Sequence, residues 1–185
     1  MQPSSFQTLI TAQYAAARTL LTSDSVLVLL HIGPEQTGVA VGHGRASQAT
    51  LTLTIGSQKT AREHFKHTPP SPLEFENAIV TVEDEVTRAR SLVPAGARLV
   101  TVDPVIGEIA ILSGIASSAV MRLPLDAMEH TFDCLAQVSL GRPASLDKLP
   151  TDHSFAATLL ILREFMHHLQ FADISVLPAD IQLIP

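Results

Sequence analysis

The chain has few charged side chains, few aromatic side chains and almost no cysteine. Only 16% of its 185 residues are Asp, Glu, Lys or Arg, whereas about a quarter is usual for soluble proteins. Hydrophobic residues make up 46% of the sequence, which excludes a disordered chain because disorder requires few hydrophobic residues and a high net charge. Twelve Lys and Arg stand against 18 Asp and Glu, giving a net charge of −6. Without a basic cluster, this charge argues against nucleic acid as a main partner.

The single cysteine and the short hydrophobic runs restrict the location of the protein. Cys134 has no partner for an internal disulfide and excludes a zinc site built from several cysteines. Polar residues such as Gln7, Thr11 and Arg18 interrupt the N-terminal region, so it does not resemble a signal peptide. The longest apolar runs, such as 26–30, are far shorter than the ~20 residues of a membrane-spanning helix. We therefore expect a cytoplasmic protein with no membrane partner.

Aliphatic rather than aromatic side chains must form the core. Tryptophan is absent and aromatic residues make up only 4% of the chain. The mean hydropathy is nevertheless positive, at +0.27. This combination predicts either a large hydrophobic core or a buried subunit interface. Such an interface would belong to a homo-oligomer or to a complex with a protein partner, and we expect one of these.

Hydrophobic periodicity predicts an α/β fold within one domain. Spacings of three and four residues indicate helices, while apolar runs and strict alternation indicate strands. The predicted helices are 3–22, 59–66, 72–93, 105–113, 125–139 and 153–169, and the predicted strands are 26–32, 37–41, 49–55, 98–102, 118–123 and 173–177.

The order of these elements predicts a mixed sheet. The first three strands, joined by short turns, would form an antiparallel meander, and the later strands alternate with helices, as in the ribonuclease H-like fold. The segment 98–123 reads as a strand–helix–strand unit, for which we expect a right-handed parallel crossover. We expect a single domain over 1–185. It would comprise an N-terminal helix over 1–25, a sheet-forming core over 26–123 and a helical part over 124–185.

The third helix has the clearest start and a favourable charge pair. Ser71, Pro72 and Glu74 match an N-cap, a proline at the first helical position and the acidic residue of a capping box. Asp84 and Arg88 have the spacing of a stabilising pair one turn apart.

Two segments resemble a known enzyme superfamily. Residues 26–41 (VLVLLHIGPEQTGVAV) resemble the opening hairpin of the actin-like ATPases and sugar kinases, in which a strand ends in Asp-x-Gly. Residues 71–103 (SPLEFENAIVTVEDEVTRARSLVPAGARLVTVD) resemble the capped helix, Ala-Gly loop and strand of the exopolyphosphatase and guanosine pentaphosphate phosphohydrolase branch. Together the two segments cover about half of the chain, and the resemblance implies the ribonuclease H-like fold of that branch.

The resemblance also shows where this sequence departs from the superfamily. There, an acidic residue on the first strand helps to hold a metal and phosphates, but His31 occupies the matching position here. Gly33 matches the glycine of the superfamily, whereas Pro34 has no N–H to donate to a phosphate oxygen. No second glycine-rich phosphate loop and no segment like the catalytic glutamate motif of the family are found. The resemblance therefore implies a single-lobe, non-catalytic relative.

Two main functions follow from these observations. The first is a non-catalytic domain that acts through self-association or a protein partner. The alternative is a metal-dependent hydrolase of phosphate esters or nucleotides, resembling exopolyphosphatases. A divalent metal would then be its cofactor, and the residues lining the phosphate or ligand site would be His31, Gly33, Glu35, Thr37 and Asp103.

Histidine pairs suggest a third function, metal binding. His64 and His67 would lie on neighbouring faces if a helix continued through them, near enough to share a metal ion. The alternative is a solvated polar turn before the prolines at 69 and 70. Glu164, His167 and His168 form a second candidate, but histidines in a last helical turn are also explained by the helix dipole.

Overall fold

The computed structural model describes residues 4–21 and 25–178, which contain a six-stranded mixed sheet. The helices are α1 (Ser5–Leu20), α2 (Ser57–His64), α3 (Pro72–Thr87), α4 (Pro104–Leu112), α5 (Leu125–Ser139) and α6 (His153–His168). The strands are β1 (Leu27–Ile32), β2 (Thr37–Gly42), β3 (Ala49–Leu53), β4 (Arg98–Thr101), β5 (Met121–Pro124) and β6 (Asp173–Val176). This mixed α/β architecture confirms the predicted fold class.

The first three strands form the predicted antiparallel meander. β2 pairs with β1 from Thr37 opposite Ile32 to Gly42 opposite Leu27, and β3 pairs with the other edge of β2. β4 then lies parallel to β1 on its free edge. The strand order is β3-β2-β1-β4-β6-β5.

The predicted parallel crossover between the fourth and fifth strands is wrong. β6 pairs in parallel with β4, and β5 is antiparallel to β6 at the edge of the sheet. The side chains explain this arrangement, because Arg122 is exposed and Pro124 cannot donate to a second strand, so both suit an edge strand. Ile174 and Val176 of β6 are almost fully buried and therefore suit an interior strand.

Helices cover both faces of the sheet. Val28 and Leu30 of β1 belong to the larger core, to which α3, α4, α5 and α6 contribute. Leu27 and Leu29 point to the opposite face and form a smaller core with α1, which contributes Ile10, Tyr14 and Ala17. α6 is buried along most of its length, and Asp152 caps it by accepting a hydrogen bond from the Phe155 amide at 2.8 Å. Within the described residues, no helix is both long enough and apolar enough to cross a membrane.

α3 starts as predicted but ends earlier. The Ser71 amide donates to Glu74 Oε2 at 2.7 Å, and the Glu74 amide donates to Ser71 Oγ at 3.4 Å, which confirms the capping box. The helix ends at Thr87 rather than at residue 93, and the chain continues in tight turns. Arg88 pairs with Glu85 at 2.7 Å rather than with Asp84.

The carboxylate of Glu74 makes the capping box sensitive to acid. Burial alone would raise the pKa of Glu74, but hydrogen bonds from the Ser71 amide, the His67 ring and the Lys66 amide outweigh it and lower that pKa to about 2. A carboxyl whose pKa is lower in the folded state stabilises the fold above its unfolded pKa of roughly 4.3. That stabilisation is lost as the pH falls from this value towards 2.

We therefore expect wild-type protein to lose more stability between pH 6 and pH 3 than the Glu74→Gln variant. The measurement is the free energy of unfolding in urea at both pH values. The exposed Glu76 lies in the same helix, so Glu76→Gln is a matched control that should keep the wild-type pH profile. Equal pH dependence in wild type and Glu74→Gln would contradict the assigned role of this carboxylate.

Candidate functional site

The carboxyl ends of β1 and β4 bring two of the predicted site residues together. Because the strands are parallel and adjacent, His31 at the end of β1 faces Asp103 just beyond β4. His31 Nδ1 is hydrogen-bonded to Asp103 Oδ1. The Ile32 amide donates to the other carboxylate oxygen, Asp103 Oδ2, at 2.7 Å. The side chain of Asp103 is 8% exposed and that of His31 is 17% exposed, so the pair is largely screened from solvent.

The local sequence fixes the position of Asp103. The Asp103 amide donates to Thr101 Oγ1 at 3.0 Å, and Pro104 begins α4 immediately afterwards. Asp103 therefore occupies the N-cap position of α4, but its carboxylate makes no capping hydrogen bond to that helix. The side chain instead joins β4 to β1.

The turn after β1 is held by the start of α2. The Ser57 amide donates to the Gly33 carbonyl at 2.9 Å, and the Gln58 and Lys59 amides donate to the Pro34 carbonyl at 2.9 and 3.0 Å. A helix N-terminus can bind a phosphate when its first amides are free. Here the first three amides of α2 donate to carbonyls of the protein.

The other two predicted site residues are engaged in separate contacts. Glu35 makes two hydrogen bonds to the Arg62 guanidinium, at 2.9 and 3.1 Å, on an exposed surface. The hydrogen bond from Arg62 lowers the pKa of Glu35 below its ordinary value. Thr37 is fully buried, and its hydroxyl donates to the Ile55 carbonyl at 2.8 Å. The structure thus brings His31 and Asp103 together next to Gly33, and it directs Glu35 and Thr37 to other partners.

One residue beside this pair was not identified from the sequence. Phe6 of α1 lies with its ring centroid 5.8 Å from that of His31, and its ring lies within 3.3 Å of the position that a Cβ on Gly33 would take. The sequence places Phe6 on the apolar face of the first helix, but only the packing of that helix on the sheet shows which strand it covers.

The histidines predicted to bind a metal lie near the end of α2. His64 is its last residue, whereas His67 lies in the bend beyond it, so the helix does not continue through both as assumed. His67 Nδ1 is 3.0 Å from Glu74 Oε1. Over residues 4–21 and 25–178, no group of three or more His, Cys, Asp or Glu side chains could hold a metal ion. Metal binding by His64 and His67 stays a prediction.

The second histidine cluster joins helices through carboxylates. Glu164 is buried, and its oxygens contact Arg163 and His168, the latter at 3.0 Å. His167 Nδ1 lies 3.2 Å from Glu129 Oε1 of α5, a pair that the sequence spacing did not indicate. These contacts are ion pairs and hydrogen bonds within and between packed helices.

The residues at the end of β1 do not fit the divalent metal that the family resemblance implies. Mg²⁺ is held by oxygen ligands, typically one or two protein carboxylates together with waters and substrate phosphates. Asp103 supplies the carboxylate beside His31, and both of its oxygens already accept hydrogen bonds from the chain. At the position of the acidic metal-holding residue, His31 presents a nitrogen that points at Asp103.

Comparison with solved structures identifies the architecture. No protein-family model matches the sequence, and a search of curated proteins gives no significant match. Among solved structures, a Ppx/GppA phosphatase of Aquifex aeolicus superposes with a TM-score of 0.75 over 92% of this chain, at 15% sequence identity. The fold is that of the Ppx/GppA structures.

Two further structures support the same assignment. An exopolyphosphatase from Cytophaga hutchinsonii superposes with a TM-score of 0.71 at 12% identity, over 97% of this chain and 68% of that one. A structure described as an exopolyphosphatase-like protein superposes with a TM-score of 0.69 at 15% identity, over 97% of this chain and 62% of that one. This chain covers 59% of the length of the Aquifex Ppx/GppA phosphatase. The resemblance in the sequence is therefore confirmed at the level of the fold.

Proposed function

We propose that this chain is a non-catalytic domain with a Ppx/GppA-type fold and that it acts by associating with a second copy of itself. The observation that carries the proposal is the pair of His31 and Asp103 at the carboxyl ends of β1 and β4. The resemblance implies a metal-holding acid at the position of His31. An imidazole hydrogen-bonded to the neighbouring carboxylate leaves that position without the oxygen ligands that phosphoryl chemistry on a metal requires.

The turn after β1 supports the same proposal. Phosphate binding at such a turn depends on backbone N–H groups that point at the ligand. Pro34 has no N–H, and the Gly33 amide donates to the Gln36 carbonyl at 2.9 Å. The amides at the start of α2 also donate to the turn, so these donors serve the fold.

The surface of α4 supports self-association. This helix begins directly after Asp103, and its exposed face carries Val105, which is 39% exposed, and Ile111, which is 52% exposed. Glu108 is the charged residue of this face. Exposed apolar side chains on a chain with little charge favour burial against a protein surface.

The single cysteine, Cys134, supports the proposed cytoplasmic location.

We expect a dimer or larger assembly at micromolar concentration by light scattering. Ile111→Glu should shift the protein to a monomer, because the charge would be desolvated in the interface. Leu140→Glu is the matched control, because Leu140 is also an exposed apolar residue, at 69%, but lies at the end of α5 and not on α4. An interface formed by α4 therefore predicts that this variant assembles like wild type. A monomeric wild type, or equal assembly of both variants, would overturn self-association through α4.

The second candidate is the metal-dependent hydrolase of phosphate esters or nucleotides. The likeness to structures described as a Ppx/GppA phosphatase and an exopolyphosphatase favours it. His31 and Asp103 would then act at the substrate, beside Gly33, Glu35 and Thr37. Under our proposal, Mg²⁺ with polyphosphate or a nucleotide releases no phosphate. Phosphate release that Asp103→Asn abolishes would replace the non-catalytic proposal with this one.

A further inference from the structure

A large cavity lies at the amino ends of β4 and β6, opposite to the His31–Asp103 pair at the carboxyl ends of β1 and β4. It has a volume of about 900 Å³ and is lined by the loop 93–97, by the start of β4 and by residues 168–173. Because β4 and β6 are parallel, their first residues, Arg98 and Asp173, lie at this same end of the strands. The two connections between helix and strand form the facing walls of the cavity.

The lining of this cavity is positively charged. Arg90, Arg98 and Arg122 line it, and Asp173 is the carboxylate among the lining residues. The chain as a whole has a net charge of −6 with 12 Lys and Arg, so three arginines around one cavity are a local reversal of charge.

The arginines retain free donors. Arg122 pairs with Asp173 at 2.6 Å, and Arg90 Nη2 donates to the His168 carbonyl at 3.4 Å. The Arg98 side chain has no hydrogen-bond or ion-pair partner in the described part of the chain, and the residue is exposed. A guanidinium offers five N–H donors, so the two contacts use only a small part of the available hydrogen bonds. The cavity therefore has many more charged donors than acceptors.

We propose that this cavity binds a small organic anion with two linked phosphate groups, such as a nucleoside diphosphate. Guanidinium groups match phosphate oxygens with paired hydrogen bonds, and three of them suit a ligand with more than one phosphate. The volume is in the range of pockets for small organic ligands. The partly exposed Val93 and the exposed Pro94 and Ala95 in the lining supply apolar surface for the organic part.

This site is independent of the function proposed above, because it lies at the amino ends of the strands and not at the carboxyl ends. It requires neither catalysis nor self-association. A failure of one proposal therefore leaves the other unaffected.

Calorimetric titration of the full chain with ADP, AMP and adenosine tests the proposal. We expect ADP to bind more tightly than AMP, adenosine not to bind, and the affinity for ADP to fall with added salt. Arg98→Ala should weaken ADP binding by about tenfold, the usual cost of losing a hydrogen bond to a charged group. Arg45→Ala is the matched control, because Arg45 is also exposed but does not line the cavity. Its affinity for ADP should remain within a factor of two of wild type.

The location of binding is tested by backbone amide chemical shifts in NMR spectra. ADP should move the signals of Gly96, Ala97 and Gln170, which line the cavity. No binding of ADP at millimolar concentration, equal affinity of wild type and Arg98→Ala, or shifts confined to the turn at Gly33 would each overturn the proposal.

Discussion

Replacing Gly56 with alanine should unfold the protein or destabilise it by ~3 kcal/mol or more, at the upper end of the usual cost of overpacking. A Cβ on Gly56 would lie 2.5 Å from the carbonyl carbon of Glu35 and 2.6 Å from both the Gln36 nitrogen and the Pro34 oxygen. All three are backbone atoms of the turn between β1 and β2, so no side chain can rotate to make room. The φ angle of Gly56 is −156°, which alanine adopts readily, so the expected loss comes from this close approach alone.

Urea denaturation followed by circular dichroism measures the effect. Gly44→Ala is the matched control, because a Cβ there would meet no atom within 4 Å and should leave the stability within about 0.5 kcal/mol of wild type. Gly38→Ala should cost less stability than Gly56→Ala, because its Cβ would meet the side chain of Ile10, which can shift, and not the backbone. Equal stabilities of the Gly56 and Gly44 variants would contradict the packing of α2 on the turn.

Local patterns predicted most elements because each depends on neighbours in the sequence. The capping box at Ser71 and Glu74 determines where α3 starts. The alternation over 49–55 predicts β3, although the strand in the structure ends two residues earlier, at Leu53. Strand direction is not a local property, which is why β5 was assigned a wrong partner. Arg122 and Pro124 are typical of an edge strand, but the prediction rested on hydrophobic periodicity, which does not distinguish edge strands from interior strands.

The candidate site was predicted in part for the same reason. His31 and Asp103 each follow an apolar strand, so the sequence placed both at strand ends. Their hydrogen bond depends on the parallel pairing of β1 with β4, which joins residues 72 positions apart. The roles of Phe6 and Gly56 depend on helices packing against the turn, and no pattern within either segment indicates those contacts.

Asp103→Ala should reduce the free energy of unfolding by about 2–4 kcal/mol, because it leaves buried donors without acceptors. The Ile32 amide would lose its partner at 2.7 Å, and His31 Nδ1 would lose the carboxylate. Asp103→Asn should cost less. Its carbonyl oxygen can still accept from the Ile32 amide, and its NH₂ can donate to His31 Nδ1 in the other ring tautomer.

A double-mutant cycle separates the two contacts of Asp103. The cycle uses His31→Ala, Asp103→Ala and the double variant, with unfolding in urea as the readout. Residues that contact each other show interaction energies of about 0.5–3 kcal/mol, whereas independent residues add. We expect coupling in this range, with a remaining loss in the double variant from the unpaired Ile32 amide. Simple additivity would show that the carboxylate stabilises only the amide, and that His31 is not held by Asp103 in solution.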